Sequence, residues 1–396
     1  MKFNEIAEKA LEKHYEWQGK IEMISRTEIN SPEELALAYT PGVAAACLEI
    51  EKNPALSFRL TRRGKIIAVV TDGSAVLGLG NIGALAAMPV MEGKCAFFKR
   101  FGNVDAVPLC LNTQNTDEIV ETVERISGSF GGINLEDISA PRCFEIEKKL
   151  KERLNIPVFH DDQHGTAICT AAAVINALKL TGKRADEIKC VISGAGAAGC
   201  AVAKRLLSLG IKNIIVCNSR GAIYSGRPGL DAERTRLGLI TNPNCEKGGL
   251  TDVLKRADVF IGVSAPNILK AENIAEMNSN PTVLALANPV PEIDPKEAIK
   301  GGAAVVGTGR SDFPNQINNV LVFPGIFKGT LESGAAEIND EMMTAAVYAL
   351  AELADDKCPA SDRIIPDVFD DRVAPAVAEA VTDAAIKSGA VPDKRR

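Results

Sequence analysis

The chain contains no apolar run long enough to cross a bilayer, no CxxC unit, no block of basic residues and no low-complexity linker. The first absence argues against an integral membrane protein. The N-terminal MKFNEIAEKALEKHYEW alternates charged and apolar residues, which predicts an amphipathic helix rather than a secretion signal. Ten cysteines are present, Cys47, Cys95, Cys110, Cys143, Cys169, Cys190, Cys200, Cys217, Cys245 and Cys358, yet none stands close to another. Most lie in apolar surroundings such as Val216-Cys217, so buried free thiols in a reducing cytoplasm are expected, not disulfides or a soft-metal site. With a formal charge of −6 and no basic-aromatic stripe, nucleic acid is not an expected partner; small polar or anionic ligands are. No long-period repeat is present.

What is there is ordinary globular material: 396 residues, 46% hydrophobic and 24% charged, enough for two or three domains. Residues 1–160 mix helical patterns with short apolar runs at 65–70 and 106–111, which predicts a small α/β domain. An Ala-rich helix from about Thr166 to Leu180, stopping before Gly182, leads into the buried strand 188–193 and would hinge the two halves. Beyond it a helix at 198–209 and strands at 214–217, 259–263, 282–287 and 303–307 follow one another. That rhythm predicts a doubly wound parallel sheet over 161–396, closed by C-terminal helices. The fold class is therefore α/β throughout.

The turn Gly194-Ala195-Gly196-Ala197-Ala198-Gly199 follows a strand and opens a helix, the context in which glycines bring backbone amides to a pyrophosphate. The next strand ends Cys217-Asn218-Ser219-Arg220, where an acid would usually grip the ribose diol of NAD; its absence, with Ser219 and Arg220 at hand, favours NADP. A second GxGxxG, at Gly78–Gly83, is read as a glycine turn that lines the cleft, and Asp72-Gly73 before it suggests a hairpin. Two carboxylate pairs, Glu136-Asp137 and Asp161-Asp162, are costly to gather unless a cation neutralises them, and hard divalent cations take such oxygens. His160 and His164 flank the second pair with zinc-like spacing, but Pro157 and Gly165 argue against a regular helix there. Lys94 stands among apolar and small residues, and burial is expected to lower its pKa.

These residues carry a resemblance. The segments Ala38-Tyr39-Thr40-Pro41-Gly42-Val43, Val70–Gly80, Gly132-Ile133-Asn134-Leu135-Glu136-Asp137, Phe159–Thr166, Asn288-Pro289 and Arg310–Asn319 together resemble the short, prokaryotic-type malic enzymes. The resemblance implies oxidative decarboxylation of (S)-malate to pyruvate, dependent on NAD or NADP and on Mg²⁺ or Mn²⁺, with decarboxylation of oxaloacetate as an accompanying activity. It implies Glu136, Asp137 and Asp162 as metal ligands, Lys94 as general base, Asp161 as its support and Tyr39 as the acid that protonates the enol. Asn288, Asn318 and Asn319 would hold substrate carboxylates and the nicotinamide end, and the protein would be a cytoplasmic homodimer. Relatives often have Asp where Asn218 stands. The competing readings are a metal-free dehydrogenase of the amino-acid type, a non-catalytic NAD(P) sensor and, more remotely, a zinc hydrolase.

Overall fold

The computed structural model describes residues 3–355 and 360–392. Two parallel sheets carry the chain. The first has strands β1 (Ile66–Thr71), β2 (Asp105–Cys110), β3 (Gly132–Leu135) and β4 (Val158–His160) in the order β2-β1-β3-β4. The second has β5 (Lys189–Ser193), β6 (Asn213–Asn218), β7 (Gly221–Ala222), β8 (Val259–Gly262), β9 (Thr282–Ala285) and β10 (Val305–Thr308) in the order β10-β9-β8-β5-β6-β7. Only the short β7 runs antiparallel, as a hairpin with β6. Continuous Val/Ile runs such as Ile67–Val70 and Val191-Ile192 are wholly buried, as strands covered on both faces require.

The helix Asp161–Thr181 joins the sheets, running directly from β4 towards β5 and ending at Gly182, whose φ of +68° supplies a left-handed cap. Its residues Ala167–Val174 are buried without a polar face, which marks a central helix. One hydrophobic cluster runs through it, from Val69, Phe98 and Phe159 of the first unit to Ile192 and Val216 of the second. The C-terminal helices return to the first sheet. Phe323 and Phe327, from the helix Phe323–Ser333, pack on Phe98 with ring centroids 4.6 and 5.4 Å away, tilted and edge-on respectively, and Phe327 meets Phe159 edge-on at 5.9 Å.

Two expectations are corrected. The segment 161–165 is regular helix, because Pro157 lies before β4 and Gly165 removes a clash rather than breaking a turn. Asp72-Gly73 makes no hairpin: β1 pairs in parallel with β2 and β3. Asp72 is instead buried, accepting from Ser74 N–H and Oγ at 3.0 and 2.5 Å and from Arg142 Nη1 at 2.7 Å. The N-terminal helices Phe3–Trp17, Pro32–Ala38 and Val43–Lys52 form as helices, but Ile6, Leu11, Trp17, Leu35 and Leu37 all remain exposed. Nine cysteines are free thiols, most of them buried; Cys358, expected to be the same, lies outside the described residues.

Candidate active site

Acidic residues follow directly on the carboxyl ends of β3 and β4, which are neighbours in register, Leu135 beside His160. Glu136 and Asp137 leave one strand and Asp161 and Asp162 the other, at the edge where α/β sheets open their sites. Oxygens of Glu136, Asp137 and Asp162 lie within 4.8 Å of one another. Asp137 is held in the left-handed region, φ +54°, by its N–H donating to Asp162 Oδ2 at 2.8 Å and its carbonyl accepting from Ala75 N–H at 3.0 Å. A non-glycine residue pays for that backbone, and such strain collects at functional sites.

Lys94 comes from the helix Ala84–Gly102, whose buried face is Ala87, Met91, Lys94, Cys95 and Phe98. A lysine in that row would face hydrocarbon, but Nζ donates to Asp161 Oδ2 at 2.6 Å, pairs with Glu136 Oε1 at 2.9 Å and lies 4.2 Å over the Phe323 ring. Burial works against its charge, and Asp161 and Glu136 outweigh burial, so the ammonium is held above its ordinary range. This reverses the expectation of a lowered value: the carboxylates, not the apolar neighbours, decide.

One ammonium does not balance the acids. Burial, then Asp162 and Glu136, push Asp137 up to about 9, and burial likewise raises Glu136, Asp161 and Asp162. Asp137 Oδ2 and Asp161 Oδ1 are buried and lack hydrogen-bond partners. Unpaired acceptors on converging carboxylates are what a hard divalent cation fits. The zinc alternative finds no ligand set among the described residues. His164 Nε2 sits 2.7 Å from Glu147 Oε1, so that nitrogen serves a carboxylate rather than a cation. The candidate metal cluster among the described residues contains no histidine.

Around this centre, Gly165 leaves room for Asp161 and Asn319: a Cβ there would stand 1.9 Å from Asp161 Oδ1 and 3.0 Å from Asn319 Cβ. Asn318 uses its Oδ1 to cap Val320 N–H at 2.9 Å, which orients its amide N–H groups for a ligand. Asn288, after β9, is exposed and borders the Gly78 loop of the first sheet, where a Cβ would stand 2.6 Å from its carbonyl oxygen. Tyr39 is 68% exposed at the end of Pro32–Ala38 and does not share the buried cluster. Sequence reasoning missed Phe323 under Lys94, Glu147 behind the histidines, and Arg142 on Asp72. None of the three stands in a motif.

In the second sheet, Gly194 takes φ +111° directly after β5, and a Cβ on Gly199 would stand 1.7 Å from Gly194 O, so strand, turn and helix close as a dinucleotide turn requires. Arg234 Nε holds the Ala195 carbonyl at 2.9 Å. At the end of β6, Asn218 Oδ1 accepts from Arg220 N–H at 2.9 Å and from Arg227 Nη2 at 3.0 Å, while Ser219 and Arg220 are exposed.

Fold and site together define a dinucleotide-dependent α/β oxidoreductase. Residues 18–151 match the malic enzyme N-terminal domain and residues 163–386 the malic enzyme NAD-binding domain. The chain belongs to the malic enzyme family, and it is an oxidoreductase that uses NAD or NADP. It is 53% identical to the bifunctional malic/malolactic enzyme of Bacillus subtilis over 97% of this chain and 94% of that one. It is 46% identical to the NADP-dependent malic enzyme of Escherichia coli over 98% of this chain but only 53% of that protein's length. The crystal structure of an NAD-dependent malic enzyme from Thermotoga maritima superposes with a TM-score of 0.91 at 48% identity, covering 94% of this chain and 98% of that one.

Proposed function

We propose that the protein oxidises (S)-malate to pyruvate and carbon dioxide, with Mg²⁺ or Mn²⁺ held by Glu136, Asp137 and Asp162. The observation that carries this reading is the convergence of three carboxylates, one with an unpaired buried oxygen, around a buried lysine. A bound cation would polarise the C2 oxygen of the substrate and stabilise the charge that develops as carbon dioxide leaves; a dinucleotide on the Gly194 turn would accept the hydride.

The chain's own groups handle protons and position. Lys94 takes the C2 hydroxyl proton as its base form. Asp161 and Glu136 fix Nζ in place, and a cation held by Glu136, Asp137 and Asp162 would weaken the local negative field that keeps it charged. Phe323 under Nζ excludes water from one side of it. Asn319 lies beside Asp161, and with Asn288 and the amide of Asn318 it is assigned to the substrate carboxylates and the nicotinamide end. Tyr39 is assigned the return of a proton to C3. Its exposure means that face must be covered in the working enzyme, and a homodimer would cover it together with Ile6, Leu11, Trp17, Leu35 and Leu37. For the dinucleotide, the lack of an acid at 218–222 and the presence of Arg220 and Arg227 support NADP. The reading divides the chain at about residue 160, and it places the protein in the cytoplasm. Among the described residues no helix is long and apolar enough to cross a membrane.

The test is reduction of NAD and of NADP by malate, with Mn²⁺ or Mg²⁺ and after exhaustive chelation, followed by an assay for pyruvate. Metal-dependent reduction with stoichiometric pyruvate is expected. Undiminished reduction after chelation would remove the metal from the mechanism.

A further inference from the structure

Glu292 belongs to no motif, follows β9 in an irregular segment and is 0% exposed. Its two carboxylate oxygens accept in two directions. Oε1 takes Ser264 N–H at 2.7 Å and Ser264 Oγ at 3.2 Å, just beyond the end of β8; Oε2 takes Ala287 N–H at 3.1 Å, just beyond the end of β9. Ser264 Oγ lies in turn 2.9 Å from Ser193 Oγ, the last residue of β5 before Gly194. The side chain crosses the end of β8 so closely that a Cβ on Gly262 would stand 2.3 Å from Glu292 Cδ. One buried carboxylate thus ties the strand that opens the dinucleotide turn to the residue before Asn288.

We propose that Glu292 is a positioning residue for the reaction: it fixes Asn288 relative to the dinucleotide turn by bonding two strand ends at once. The partners are N–H and O–H dipoles, and burying a carboxylate on dipoles alone is costly. Burial raises its pKa, and the donated hydrogen bonds oppose that. A glutamine is the same size but cannot replace it, because its NH₂ would face either the Ser264 or the Ala287 N–H. Both oxygens must accept. The inference rests on the reading that Asn288 faces the substrate.

The experiment compares Glu292→Gln, Ser264→Ala and Asn288→Ala with the parent, measuring kcat and KM for malate, the Kd of NADPH by fluorescence, and thermal unfolding. Glu292→Gln is expected to lower kcat/KM for malate by about 10- to 100-fold, the usual result of misplacing a contact by an ångström. The NADPH Kd should stay within about threefold, because the glycine turn keeps its own anchors at Cys217 and Arg234. Ser264→Ala, which keeps the N–H bond to Glu292 but removes the Oγ bonds to Glu292 at 3.2 Å and to Ser193 at 2.9 Å, should raise the malate KM a few-fold. Unchanged malate kinetics in Glu292→Gln overturn the proposal, as does a loss in which malate and NADPH constants worsen together with the unfolding temperature. If Glu292→Gln does not fold, Ser264→Ala decides: a selective rise in malate KM supports the proposal and an unchanged one overturns it. Asn288→Ala separates the two layers. If it leaves malate kinetics intact, the substrate assignment fails; if it damages them while Glu292→Gln does not, only the role of Glu292 fails.

Discussion

Carboxylates stand on both sides of the first turn of the helix Asp161–Thr181, one behind it and four in front, and their own chain neutralises only the one behind. Behind the turn, Glu147 accepts from Gln163 Nε2 at 3.1 Å and pairs with His164 and Lys151 at 2.7 and 2.8 Å. Burial alone would raise its pKa, but His164 and Lys151 outweigh burial and hold it well below the usual range. In front of the turn, Glu136, Asp137, Asp161 and Asp162 share Lys94, and burial leaves all four carboxylates raised. A glutamate stands on each side, Glu147 behind and Glu136 in front, and both are buried. The difference lies in the partners the fold provides, and it separates a structural tie from a site that needs a cation.

The comparison can be broken from either side. The largest effect should come from Asp162→Asn. Losing a ligand should abolish Mn²⁺ binding, read by electron paramagnetic resonance, and lower turnover by about 10³-fold, the equivalent of roughly 4 kcal/mol. Retained binding in that variant, or its loss in the double change His160→Ala, His164→Ala, would reverse the assignment. Next is Lys94→Ala, for which malate oxidation should fall by about 10²- to 10⁴-fold, the range for removing a general base, with Mn²⁺ binding retained. Simultaneous loss of Mn²⁺ would make Lys94 a structural partner of the acids.

A smaller effect belongs to the neutralised side. Glu147→Gln should cost about 1–3 kcal/mol in denaturant unfolding at pH 7 while leaving Mn²⁺ affinity unchanged. Because the folded pKa of Glu147 lies below its unfolded value, its contribution is present above about pH 4.3 and is lost as pH falls towards the folded pKa. The gap between parent and variant should therefore close on acidification, and a gap that widens would contradict the pairing. Smallest is a surface control. Asp105, about a third exposed, bonds Arg62 and Lys99 and is lowered by them against burial, so Asp105→Asn should cost less than about 1 kcal/mol at pH 7, again vanishing in acid.

Much of this arrangement was legible in the sequence, for identifiable reasons. Strands buried on both faces read as continuous Val/Ile runs, so β1, β5, β6, β8 and β9 were located within a few residues. The Gly194 turn and the carboxylate pairs were legible because their chemistry is packed into neighbouring positions. Glu147 was not. It sits in the charged run Glu145–Arg153, which looks like a solvated helix, and only the packing of that helix against the Asp161 turn brings it to His164. Nor was the charge state of Lys94, because its neighbours along the chain are apolar while its neighbours in space are acids 42 and 67 positions away. Glu292 was invisible because its partners are groups that no motif marks: the N–H of Ala287 five positions before it and the N–H and Oγ of Ser264 28 positions before it, each just past a strand end.

The thiols give both halves a built-in set of reporters. Cys47 and Cys245 are exposed, whereas Cys95, Cys143, Cys169, Cys190, Cys200 and Cys217 are buried, with burial pushing Cys95, Cys143 and Cys217 up to about 12. Among the described residues, a pulse of alkylating reagent at neutral pH should therefore mark Cys47 and Cys245 first in the native state, ahead of the half-buried Cys110. Each further mass increment would time the opening of one layer, with Cys95 and Cys143 reporting the four-stranded sheet and Cys190 and Cys217 the six-stranded one.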